Sequence, residues 1–149
     1  MHDSVTVHMN APPEKIWELL SDVTRIGHYS PETFEAAWLD GATGPAVGAR
    51  FRGHVKRNGK GPTYWTTCTV LASDPGREFA FGVGNSAKPL NTWRYQLKPA
   101  GDGTDVTESF QLADTVSLRV YWTLLGRARG KTNREGMRTT LERIKAEVE

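Results

Sequence analysis

A single cysteine, Cys68, in a chain of 149 residues leaves no partner for an intrachain disulfide and no cysteine set for a structural zinc site. The fold must therefore stand on packing. Histidine is almost as scarce: His2, His8, His28 and His54 show no H-E-x-x-H spacing, and strand alternation turns three of them outward, so no bound metal is expected. No other cofactor is expected either. Gly82-Val83-Gly84 lacks the following glycine, the strand-to-helix context and the Lys-Ser/Thr pair of a phosphate loop, and no G-x-S-x-G elbow offers a serine nucleophile. Cys68, within a strand pattern, reads as a small buried hydrophobe.

Long apolar runs are also missing, which excludes a stable membrane-inserted helix. The amino terminus, Met1-His2-Asp3-Ser4, enters a strand pattern without the charged and apolar regions of a signal peptide, and a cytoplasmic location is the expectation. Charge of one sign is not in excess. The 19 Lys and Arg against 17 Asp and Glu give a net +2, too little for a large phosphate-neutralising surface, so no nucleic-acid partner is expected.

What is present describes one folded domain, residues 1–149, with 38% hydrophobic and 24% charged residues. Val5, Val7 and Met9 alternate with polar residues in a first half-buried strand. Pro12 and Pro13 suit a helix start, and Ile16, Leu19, Leu20 and Val23 carry an apolar stripe through residues 13–23. A second short helix or turn is expected over residues 24–29, stopping before Pro31.

Turn signals then divide a series of strands into an antiparallel meander. Phe34, Ala36 and Trp38 are expected on one face of the first, and Ala49, Phe51, Gly53 and Val55 on one face of the second. Asn58-Gly59-Lys60-Gly61 reads as a hairpin turn. In the strand over residues 63–72, Tyr64, Cys68 and Val70 compete with Trp65 and Leu71 for the inner face, and the pattern leaves both open. Phe79, Phe81 and Val83, then Trp93, Tyr95 and Leu97, then Val106, Glu108, Phe110 and Leu112 mark three more inner faces. That makes seven strands. Leu118, Trp122 and Leu125 read as a helical segment, followed by a bend at Gly126 and Gly130 and a long terminal helix carrying Met137, Leu141, Ile144 and Val148. The class is α+β.

Several short motifs carry a resemblance in their order along the chain. Ala11-Pro12-Pro13-Glu14-Lys15-Ile16-Trp17, Ser21-Asp22-Val23, Tyr29-Ser30-Pro31, Val47-Gly48-Ala49-Arg50-Phe51, Trp93-Arg94-Tyr95 and Gly103-Thr104-Asp105-Val106-Thr107 resemble the START-like, or SRPBCC, superfamily. The branch they look most like is the bacterial polyketide cyclase/dehydrase-related one. The resemblance implies a helix-grip fold, in which a seven-stranded curved antiparallel sheet wraps a long C-terminal helix and two short helices follow the first strand. It also implies a hydrophobic cavity for a lipid, a polyketide or another apolar molecule, without implying one reaction. No paired Cys and His ligands for a Rieske cluster are present, so the oxygenase branch is excluded.

The expected wall combines rigid rings, Tyr29, Trp38, Phe51, Phe79, Phe81, Trp93, Tyr95 and Trp122, with Met137 and Leu141 from the terminal helix. Glu108 stands out because alternation places a carboxylate between Val106 and Phe110 on the inner face, where it needs a partner, a proton or the cavity mouth. As a ligand anchor it serves a binding or transfer protein. As a proton carrier with Tyr95 it serves a cyclase or dehydrase. An arginine ion pair at a strand end would remove both roles, and a filled core would make the cavity vestigial. Gly136 could admit ligand beside Met137 or simply lie on an outer face. Arg127, Lys131, Arg134 and Arg138 share a helical face, which is either a transient contact with an anionic membrane surface or a solvated face paired with Glu135 and Glu142.

Overall fold

A computed structural model of the chain describes residues 2–56, 62–84, 87–113 and 116–149, and side chains within all of these except residues 116–130. Alternation dictates the first strand, β1 (His2–Met9): Val5, Val7 and Met9 are buried and the residues between them exposed. Pro13 opens α1 (Pro13–Ser21), where its missing N–H costs nothing. The helix ends two residues before the expected Val23. Asp22 leaves it in an extended conformation and uses its side chain to accept from the Thr24 amide at 3.1 Å, capping a 3-10 helix over Val23–His28.

Six strands follow: β2 (Thr33–Trp38), β3 (Arg50–Lys56), β4 (Thr63–Asp74), β5 (Glu78–Val83), β6 (Asn91–Ala100) and β7 (Gly103–Leu112). All pairings are antiparallel in the order β1-β7-β6-β5-β4-β3-β2, so only β1 crosses over to meet a distant partner. The hairpin turn read at residues 58–61 lies outside the described residues.

Two registers decide what faces inward. The expectation that Phe34 shares a face with Ala36 and Trp38 is overturned by a register shift between Thr33 and Glu35 against β3. The bulge turns two consecutive residues outward, and Phe34 is 45% exposed with its ring 4.3 Å from that of His54. Gly27 of the 3-10 helix lies against this bulge so closely that a Cβ there would sit 2.0 Å from the Phe34 carbonyl oxygen. In β4 the open choice resolves toward Tyr64, Thr66, Cys68 and Val70. Trp65 lies outside, stacked on His54 at 4.1 Å with the Arg52 guanidinium 4.4 Å from its ring.

The terminal helix α2 (Val116–Val148) is continuous through Gly126 and Gly130, where a bend was expected. Each helical glycine costs about 1 kcal/mol relative to alanine but still donates its hydrogen bond, and no proline interrupts the segment. At 1.5 Å per residue the helix is about 50 Å long. It packs chiefly on β1, with β7 and α1 beside it, and buries Met137, Leu141, Ile144 and Val148. No helix is long and apolar enough to cross a membrane among the described residues.

Candidate functional site

Between the sheet and α2 lies a cavity of about 160 Å3. Its floor is the inner sheet face, with Phe51 and Gly53 from β3, Tyr64, Thr66 and Cys68 from β4, Phe81 from β5, Trp93 and Tyr95 from β6 and Glu108 from β7. Its roof is a stripe of α2 at helical spacing, Asn133, Gly136, Met137 and Thr140. Ile26 and the segment from Ser30 to Thr33 complete the wall, held by the Ser30 hydroxyl, which accepts from the Glu32 and Thr33 amides at 3.2 and 3.0 Å. The Thr140 hydroxyl is spent on the Gly136 carbonyl at 2.9 Å. No lysine or arginine is among the described lining residues.

Glu108 is 2% exposed, and no arginine among the described side chains meets it. Tyr95 is its direct cross-strand neighbour, and the Tyr95 hydroxyl is its hydrogen-bond partner, while Glu108 Oε1 has none. Burial pushes the carboxyl up to about 8, with the tyrosine only partly opposing the shift. Glu108 is therefore mostly protonated at neutral pH. Tyr95 is itself held well above its ordinary value by burial and by Glu108. Burial likewise pushes the Cys68 thiol up to about 11, so it is no thiolate nucleophile at neutral pH. Two further acceptors on the wall, Asn91 Oδ1 and Asn133 Oδ1, have no partner, and Asn133 is only 3% exposed.

The structure brings together Phe51, Phe81, Trp93, Tyr95, Glu108 and Met137 of the expected wall. Tyr29 and Phe79 instead border a separate gap of about 20 Å3, between the 3-10 helix and α2, that also touches Phe81 and Tyr95. Trp38 packs edge-on against Phe51 at 5.7 Å, and Leu141 is fully buried in the core; neither is among the described lining residues of these two cavities. Trp122 lies outside the described side chains. Gly136, open to either reading in the sequence, is on the wall. Pattern reasoning missed Asn91, Asn133 and Thr140, because polar residues near an apolar stripe read as its margin. The available signal was the spacing of Asn133 and Thr140 around Met137, four residues before and three after.

The surface expected to meet a membrane is partly neutralised: Arg134 pairs with Asp3 of β1 at 2.7 Å, and Lys131 faces Glu135 at 4.0 Å. Arg138 is exposed, and the Arg127 side chain lies outside the description. No group of three metal-ligating side chains occurs among the described residues.

A seven-stranded antiparallel sheet with a long C-terminal helix laid against it is the helix-grip fold. Within it, the chain belongs to the polyketide cyclase/dehydrase and lipid transport family, matched over residues 2–149. Among solved structures it is similar to a Thermus thermophilus protein, with 17% identity, a TM-score of 0.73 and coverage of 99% of this chain and 97% of that one. A Deinococcus radiodurans protein gives 17% identity, a TM-score of 0.68 and 99% and 96% coverage. A Polyketide_cyc-like protein of Corynebacterium glutamicum gives 25% identity, a TM-score of 0.59 and 99% and 88% coverage. No curated protein matches the sequence.

Proposed function

We propose that this protein binds and carries a small hydrophobic molecule in the cavity between β3–β7 and α2. The observation that supports the reading most is the cavity itself, an aromatic and aliphatic pocket between the sheet and α2. Its size speaks for a compact ligand, since an engineered apolar cavity of roughly 150 Å3 takes benzene. A long acyl chain would require the wall to move. Family membership, which spans cyclases, dehydrases and lipid transport, supports the ligand class more than the reaction.

A second reading, a cyclase or dehydrase acting on an aromatic or poly-keto substrate, is favoured by one feature. Glu108, held near the middle of the physiological range and touching Tyr95, has the character of a general acid. Mass spectrometry under native conditions, followed by extraction, separates the readings. A compact apolar molecule released unchanged supports carriage, and turnover of the extracted molecule that Glu108→Gln abolishes supports catalysis. A protein that is empty, and whose melting temperature does not move with one-ring apolar probes, overturns both.

A further inference from the structure

Three oxygen atoms without partners line one cavity: Glu108 Oε1, Asn133 Oδ1 and Asn91 Oδ1. Buried polar groups are normally satisfied, so three in one pocket is an unusual concentration. The two amide oxygens need a donor, the protonated Glu108 can accept or donate, and no described lining residue is a cation. The pocket is therefore ill suited to a carboxylate or phosphate, whose charge would meet no counter-charge, and to a plain hydrocarbon, which would leave all three oxygens orphaned. Phe51, Phe81 and Trp93 line the same space and favour an aromatic ring.

We propose that the cavity takes an uncharged, one-ring aromatic molecule carrying more than one hydroxyl group, with Asn133 accepting one hydroxyl proton and Glu108 hydrogen-bonding a second hydroxyl. This rests on the reading of the cavity as a ligand site. Sequence position supports the division of labour: Glu108 comes from the sheet and Asn133 from the opposing helix, so a ring seated between Trp93 and Met137 meets an unpartnered oxygen on each side.

The test compares 4-ethylcatechol, its near-isostere 4-ethyl-1,2-dimethylbenzene, and 4-ethylbenzoate by isothermal titration against the wild type and Asn133→Leu. Leucine keeps the branching of asparagine and removes the orphaned oxygen at the cost of a bulkier side chain, so the variant should fold with a melting temperature close to that of the wild type. Wild type should bind the catechol at least as tightly as the dimethyl analogue and reject the benzoate. In the variant the ratio of catechol to dimethyl affinity should fall about tenfold, the loss of one well-placed hydrogen bond. An unchanged ratio, or benzoate binding as well as catechol, overturns the hydroxyl assignment while the cavity remains an apolar ligand site. Failure of all three probes to bind wild type removes the ligand site itself. Should Asn133→Leu misfold, Asn133→Ala with the same ratio decides the matter.

Discussion

The two faces of the sheet each pair a glutamate with an aromatic cluster, and they use them in opposite ways. On the inner face Glu108 meets Tyr95 out of water, one carboxyl oxygen has no partner, and the proton stays on at neutral pH. On the outer face Glu35 accepts from the His54 ring at 2.8 Å, with Phe34, Trp65 and Arg52 stacked around it in partial contact with solvent. The chemistry of the groups is similar, and the difference lies in what water can do for them. Outside, water relieves any imperfect contact, so the cluster can be rearranged at small cost. Inside, nothing does, and the same groups dominate both stability and recognition.

The comparison breaks most sharply at Phe51, which is 1% exposed and packs its ring against Trp38 at 5.7 Å and Phe81 at 5.2 Å. Phe51→Ala is expected to cost about 3–5 kcal/mol in urea denaturation and to enlarge the cavity, so that bulkier apolar probes raise the melting temperature of the variant more than that of the wild type. A loss below 1 kcal/mol would mean the inner wall is already slack.

The next effect is a dependence on pH. Glu108 titrates at about 4.5 when unfolded and at about 8 when folded, so between those values the folded chain holds a proton that the unfolded chain has released. Its contribution to stability is complete below 4.5 and is lost as pH rises to about 8, at up to roughly 1.4 kcal/mol per unit and a few kcal/mol in all. Denaturation of wild type and Glu108→Gln at pH 5, 7 and 9 should show this falling component in the wild type only. Parallel curves would place the carboxyl in water.

The inner face was far more legible in the sequence than the outer one. Period-two alternation identified Phe51, Phe81, Trp93, Tyr95 and Glu108, because one face of each strand is apolar and a one-residue slip would bury charge. Phe34 defeated the same rule, since a bulge inserts a residue without changing composition, and the close approach of Gly27 to the Phe34 carbonyl beside it is a tertiary contact that alternation does not register. Trp38 and Leu141 show a second limit: alternation reports which side a residue faces, whereas lining a cavity depends on how its tertiary neighbours pack around it. Asn133 illustrates a third, because a polar residue beside an apolar stripe reads as its margin unless its spacing to Met137 is weighed. The helix itself was misread at Gly126 and Gly130, where local propensity predicted a bend and the backbone hydrogen bonding of α2 continued.

The smallest expected effect sharpens the comparison from the outside. The Glu35 and His54 side chains are 56% and 19% exposed, and their pair spans β2 and β3 just past the bulge. A double-mutant cycle combining Glu35→Gln with His54→Gln should give a coupling of about 1 kcal/mol or less, and it should shrink as salt is raised, because exposed ion pairs are screened and must order two side chains. His54 also stacks on Trp65, so His54→Gln alone should cost more than Glu35→Gln alone, the excess belonging to the ring contact. A coupling above 2 kcal/mol that resists salt would mean that the Phe34, His54 and Trp65 rings keep water from the pair. The outer face would then follow the energetics of Glu108 and Tyr95, and burial would no longer account for the difference between the two.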